Sequence, residues 1–155
     1  MPVEPERDFW IKVGAAPTPL PLPALYDAFA NGQVDGMQID FEGIWNTRYL
    51  DHAGTVVHSS HMMLPMVAVI SARTWKKLSD DDRTLVRQLV AKQLDQLINT
   101  YGQLDADYLA KINASGAHVI NVDRSFFGDA VDEWYVEWRK RAPVLTALEQ
   151  EASNL

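Results

Sequence analysis

The chain has 155 residues, 47% of them hydrophobic and 23% charged, which is long enough for one domain with a sizeable core. Its formal net charge of −7 argues against a nucleic-acid groove, since phosphate binding needs concentrated Lys and Arg. No apolar run reaches the roughly 18 to 20 residues of a membrane-spanning helix, and the lack of cysteine excludes disulfides and thiolate metal sites.

Residues 5 to 13, PERDFWIKV, predict a helix: Pro5 sits at its start, Glu6 and Asp8 lie in its first turn, and Phe9, Trp10 and Val13 share one side. Gly14 closes it. Arg7 lies among acids on this helix and is expected in a surface ion pair. Pro17, Pro19, Pro21 and Pro23 fix φ and remove backbone donors, so residues 16 to 22 should run extended. A helix of about two turns follows from Ala24, and Asn31-Gly32 ends it. Val34 to Ile39 reads as a short strand with Asp35-Gly36 inside it.

Asp40 is then placed to cap a helix carrying Phe41, Ile44, Trp45, Tyr49 and Leu50 to about His52. Val56 to Ser60 and Met63 to Ile70 read as strands, the second apolar enough to be buried on both faces. Ser71 to Trp75 starts a helical turn. Ser79 before Asp80, Asp81 and Asp82 is the best-marked helix start in the chain. Leu85, Leu89, Leu94, Leu97, Ile98, Tyr101, Leu104, Tyr108 and Ile112 hold one face of that helix almost to Gly116, with Gly102 its weakest internal point. A strand over 117 to 122, a helix over 126 to 141 and a short helix over 144 to 151 complete the order. Strands alternating with helices predict an α/β fold.

Chemistry is sparsely marked. No Ser, His and Asp set carries a nucleophile turn and no phosphate loop occurs, so neither catalysis nor a cofactor is expected. His58 and His61 are three apart, which in a strand puts them on opposite faces, and no clustered carboxylate adds ligands, so no metal is expected. Trp45, Tyr49, Trp134, Tyr135 and Trp138 fall on helical apolar stripes and are expected in the core.

The wording GAAPTPLPLPALYDAFANGQVDG, from Gly14 to Gly36, closely resembles the middle of the solute-binding subunits of TRAP transporters, the DctP-type family. The signature joins Gly-Ala, Pro-Thr-Pro, a Tyr at the helix start and Gly-x-Val-Asp-Gly at fixed spacing. His61 ahead of Trp75, Leu78-Ser79, the very long helix and the stretch from Gly116 to Asp123 extend it over nearly the whole chain. The resemblance implies the C-terminal half of a two-lobed periplasmic-binding-protein-like fold with a long lobe-spanning helix. Residues 1 to 70 would be the strand and helix part of the ligand-cleft lobe, 79 to 115 the connecting helix, and 116 to 155 the C-terminal strand and helices.

The function it implies is extracytoplasmic capture of a small organic acid, a carboxylate, by closure of two lobes that hand the ligand to TRAP membrane subunits. In the family, an arginine that clamps the carboxylate lies on a strand before the first helix, and Arg7 is not that arginine. MPVEPERDFW has no basic segment followed by an apolar core as in a secretory signal. The chain is therefore expected to be truncated, to lack the N-terminal half of the same polypeptide, and to bind poorly alone. A periplasmic location follows from the resemblance only.

By the same resemblance, Gln38, Ile39 and Asp40 line the cleft, Thr18 borders it, and His61 lies in the segment that returns to the hinge. Gln38 offers an amide to a carboxylate or hydroxyl, Ile39 an apolar wall, and Asp40 also suits a cap. Sialic-acid-type members have an Asn where this chain has Ile39, and keto-acid-type members a Glu-Trp pair at Gln38-Ile39, so the resemblance names nothing narrower than an organic acid. The alternative is a free-standing α/β interaction module that dimerises through its long helix and an exposed apolar face.

Overall fold

The first helix, Glu4–Lys12 (α1), ends where Gly14 takes φ 92°, a value that costs glycine nothing. That turn lets the N–H of Gly14 reach the Ile11 carbonyl and that of Ala15 the Trp10 carbonyl, both at 2.9 Å, satisfying two open carbonyls of the last turn. The proline stretch then runs without regular structure to a 3-10 turn at Leu22–Ala24 and a short helix, Leu25–Ala30 (α2). The computed structural model describes residues 4–62 and 67–154.

The strand expected at 34 to 39 does not form. The N–H groups of Gln33 and Val34 instead turn back to the Ala28 carbonyl at 2.8 and 3.4 Å, so the segment closes α2 rather than joining a ladder. Asp40 caps Phe41–Asn46 (α3) as expected, accepting from the Gly43 N–H at 2.6 Å. This helix stops short of His52. The Thr47 hydroxyl bonds to the Gly43 carbonyl and Arg48 takes φ 60°, so a separate 3-10 turn, Tyr49–Asp51, follows. Trp45 and Tyr49 consequently leave a common stripe: Tyr49 is buried, whereas Trp45 is exposed, which corrects its placement in the core.

Thr55–His58 (β1) pairs with His118–Asn121 (β2) in a small parallel sheet. The β1 expectation at 56 to 60 and the β2 expectation at 117 to 122 both hold to within two residues. The second expected strand, Met63 to Ile70, lies outside the described residues over 63 to 66. Over 67 to 70 no strand forms, and Val67 and Val69 are 80% and 88% exposed, which overturns burial on both faces. Ser71 caps Ala72–Trp75 (α4) through the Thr74 N–H at 3.2 Å.

Ser79 accepts from the Asp82 N–H at 3.1 Å and opens Asp80–Ala114 (α5), 35 residues and about 50 Å long at 1.5 Å per residue. After β2, a 3-10 turn at Arg124–Phe127 is cut from Ala130–Arg141 (α6) by Gly128 at φ 56°, so the helix expected from 126 begins four residues later. Val144–Ala152 (α7) ends the described chain, starting beside Pro143 as predicted. The mixed helix and strand order agrees with the α/β expectation.

The chain divides into two compact units. The first comprises Met1–Gln38, Thr55–His61 and Ile120–Leu155, with Ala28, Val56, Phe127, Ala130 and Trp138 buried. Here α1 packs on α6: the Trp134 indole donates to the Pro5 carbonyl and the Trp138 indole to an Asp8 carboxylate oxygen, both at 2.8 Å. Lys12 pairs with Glu137 at 3.1 Å and Arg141 with Glu4 at the rim. Among the described residues Arg7 makes no ion pair, so the expected pairing on α1 falls to Glu4 and Lys12.

The second unit comprises Ile39–Gly54 and Met62–Val119 and contains all of α5. Helix α3 packs against α5, with the Asn46 amide donating to the Tyr108 hydroxyl at 3.2 Å, and Ile112 is fully buried. At the other end, Arg83 Nε donates to the Trp75 carbonyl at 3.0 Å and the Arg87 guanidinium lies 4.7 Å from the Trp75 ring centroid. Between these anchors the apolar face is open, with Leu89 at 52% and Ile98 at 69% exposure.

Helix α5 runs unbroken through Gly102, and a Cβ there would meet no atom within 4 Å. Gly102→Ala is therefore expected to stabilise the second unit by about 0.5–1 kcal/mol in urea unfolding, by reducing backbone entropy in the unfolded chain. Ile112→Ala should cost about 2–5 kcal/mol in the same measurement, while Ile98→Ala on the open face should change stability by about 0.5 kcal/mol or less.

Candidate ligand-binding site

Two of the residues expected to meet ligand, Gln38 and His61, lie in the first unit and share a neighbour. Helix α1 presents Phe9 and Trp10 on the side expected from their spacing. The Trp10 indole donates to Gln38 Oε1 at 2.6 Å, joining residues 28 apart in sequence. The same ring meets His61 edge-on, centroids 5.5 Å apart and planes at 82°. Phe9 stacks on His61 at 5.7 Å with planes 15° apart, and Phe127 closes the cluster at 5.3 Å from His61. Gln38 and Trp10 are half-buried, Phe127 is buried, and His61 is exposed on the side away from these rings.

The route of the chain explains how His61 reaches this cluster. Strand β1 ends at His58, and Ser60 takes φ 45°, in the left-handed region, so strand alternation does not continue to His61. The His58 ring nitrogens are engaged by Asn121 Oδ1 at 2.9 Å and Ser60 Oγ at 3.0 Å, and His61 Nδ1 lies 2.6 Å from Ser59 Oγ. These hydroxyl and amide partners orient both imidazoles.

Burial against the aromatic rings lowers the His61 pKa below its ordinary value, and the Glu6 carboxylate opposes that shift. The neutral ring is thus the form that suits the cluster. Of the other expected site residues, Thr18 is exposed within the proline stretch, also in the first unit. Ile39 and Asp40 open the second unit, where Ile39 is half-buried and Asp40 is exposed. The Asp40 carboxylate serves the α3 cap, so its Oδ1 already holds the Gly43 N–H. The Ile39 side chain lies against Gly43, where an added Cβ would come within 2.5 Å of Ile39 Cγ1.

The second unit also has a shallow groove lined by Trp45, Arg48, Asp51, Gly54, Gly116 and His118. Its cation is already committed: Arg48 pairs with Asp51 at 2.7 Å and is 76% exposed, so solvent screens any charge it offers a ligand. Phe9, Trp10 and Phe127 are the site components that sequence reading missed. The apolar spacing on α1 marked Phe9 and Trp10 as packing residues, and nothing local in the sequence links them to Gln38 or His61.

Because the folded pKa of His61 lies below the unfolded one, its contribution to stability is present above the ordinary imidazole range and is lost as pH falls through it. Urea unfolding followed by tryptophan fluorescence should therefore show a midpoint that drops between about pH 7.5 and pH 5. In His61→Phe, which keeps a ring in the cluster without the proton, part of that drop should disappear. An unchanged pH dependence in the variant would show that protonation of His61 is not coupled to folding.

Residues 8–141 match the family model DctP, described as bacterial extracellular solute-binding protein, family 7. A sialic acid-binding periplasmic protein of Vibrio cholerae is 26% identical over 125 residues, covering 81% of this chain and 39% of that protein. A solute-binding protein of Roseobacter denitrificans is 27% identical over 118 residues, covering 71% of this chain and 36% of that protein. The chain thus spans less than half the length of the curated relatives it matches. With the match running from within α1 to the end of α6, the chain belongs to the family 7 bacterial extracellular solute-binding proteins, the DctP-type solute-binding subunits of TRAP transporters.

Proposed function

We propose that this chain contributes one wall of a ligand cleft in an extracytoplasmic receptor that captures a small organic acid and delivers it to the membrane subunits of a TRAP-type transporter in the periplasm. The observation that carries this reading is the meeting of Gln38 and His61 at Trp10, because it brings two of the expected cleft residues to one place. In the first unit Gln38 offers its amide to a carboxylate or hydroxyl and Thr18 a hydroxyl at the border; in the second unit Ile39 offers an apolar wall. Asp40 contributes chiefly by capping α3 and so holding Ile39 in position.

The relative from Vibrio cholerae is named for binding sialic acid, a carboxylate sugar, which supports an organic acid as the ligand class. In this reading, residues 1 to 70 belong to the cleft lobe, 79 to 115 form a connecting helix, and 116 to 155 complete the C-terminal part. Lobes close about hinges, and ligand shifts the balance of open and closed forms by binding the closed one better. The chain's net charge of −7 works against an anion, so these hydrogen-bonding groups by themselves are expected to hold a carboxylate only weakly.

The test is a titration of the isotope-labelled chain with N-acetylneuraminate, pyruvate and succinate, followed by two-dimensional NMR. At least one acid should shift the Gln38, Ile39 and His61 resonances with millimolar affinity. Micromolar binding would overturn the expectation of weak affinity, and shifts confined to other residues, or none with any acid, would overturn the proposed cleft.

A further inference from the structure

Helix α5 carries a repeat of its own. Val90, Leu94, Leu97, Tyr101, Leu104 and Tyr108 follow one another at alternating steps of four and three residues, a seven-residue period through the middle of the helix. At 100° per residue they fall within about 80°, the narrow seam that meets one other helix rather than the broad face that meets a domain core. Helix α3 meets this seam at its C-terminal end, where Asn46 donates to Tyr108. Ahead of that contact, Val90, Leu94, Leu97 and Leu104 are only half-buried, and Tyr101 is 48% exposed.

We propose that α5 is a self-association surface, on which two copies of this chain pair their α5 helices antiparallel along the seam. The inference does not rest on the ligand reading. An occupant must be a helix that matches the seam in length and period. From Arg87 to Leu104 the seam is about 26 Å long. The next longest helix among the described residues, α6, has 12 residues and already packs on α1. A second α5 supplies both the length and the repeat.

Charge selects the direction. In a parallel, in-register pair the same seven-residue steps would set Asp80 against Asp80 and Arg87 against Arg87 of the second copy, like charges in the seam itself. An antiparallel pair with its two-fold axis level with Asp95 and Gln96 avoids both. Leu94 then lies opposite Leu97 of the second copy and Val90 opposite Tyr101, which symmetry doubles into four apolar layers. Ile98, 69% exposed in the single chain, comes against the small Ala91. Arg87 comes level with Asp105 of the second copy, again twice by symmetry. The Arg87 guanidinium lies 4.7 Å from the Trp75 ring centroid, and a guanidinium stacked by its face keeps its N–H edge for a carboxylate.

The test is sedimentation equilibrium of the 155-residue chain. The mass should rise from 17.5 kDa toward twice that value with a dissociation constant on the order of 10–100 μM, as suits so short a seam. A monomer throughout that range would overturn the proposal, and is the result expected if the face accepts other polypeptide. Leu94→Lys should abolish the dimer while leaving the helical circular dichroism unchanged. Leu89→Lys, equally apolar in origin and 52% exposed but off the seam, should leave the dimer intact. Equal loss in both variants would overturn the seam.

Two further variants read the orientation. Arg87→Asp should weaken the dimer about tenfold, and adding Asp105→Arg should restore it. Lack of restoration would overturn the antiparallel register. The chain has no cysteine, so single ones can be placed at will. A short bis-maleimide should join Ala91→Cys to Ile98→Cys in a mixture of the two, and should join neither variant to itself. Self-joining of Ala91→Cys would equally overturn the register.

Discussion

The first unit depends on two indole hydrogen bonds between helices that are far apart in the sequence. Trp134 and Trp138 lie one turn apart on α6 and donate to Pro5 and Asp8 on α1, spanning sequence separations of 129 and 130 residues. A buried indole N–H without an acceptor would carry the full penalty of lost hydration, so each bond specifies one rotation of α1 rather than merely adding attraction. The rings also stack on each other at 5.9 Å, which aligns the two donors along one face. Ion pairs from Lys12 and Arg141 decorate the rim, where screening leaves them modest in energy but consistent with the same register.

That rotation determines what α1 presents on its other side. Phe9 and Trp10 are delivered to His61, Gln38 and Phe127, residues contributed by three further segments of the chain. The cluster combines a ring that prefers to be neutral with an amide oxygen that accepts from an indole N–H. The aromatic rings packed on one side of the imidazole favour its uncharged form, while its other side stays exposed.

The second unit is organised differently. Its long helix is anchored at one end by α3 and at the other by Trp75, Arg83 and Arg87, and its middle leaves leucine and isoleucine side chains open to solvent. A helix of about 50 Å cannot bury its whole stripe against a six-residue helix, whose own length is about 9 Å. The charged residues that flank the stripe and the three acids at its start keep the helix formed where packing does not.

Helix positions were largely legible because their determinants are local. Ser79 with Asp80, Asp81 and Asp82, Ser71 ahead of Ala72, Asp40 ahead of Phe41, and Gly14 after Lys12 each terminate or open a helix through bonds within a few residues. Strands were less so, since a strand exists only if a partner is available. Residues 34 to 39 have a strand's composition, yet the backbone N–H groups at their start found the Ala28 carbonyl instead, and the left-handed Arg48 and Ser60 had no local signature at all. For the site, sequence reading alone marked Gln38, Ile39, Asp40, Thr18 and His61 through their likeness to a family pattern. It also determined the acidic charge and the cap at Asp40. Only the tertiary structure decided that Trp10 joins Gln38 to His61, because that contact depends on the rotation of α1, which is imposed by two indoles more than a hundred residues away.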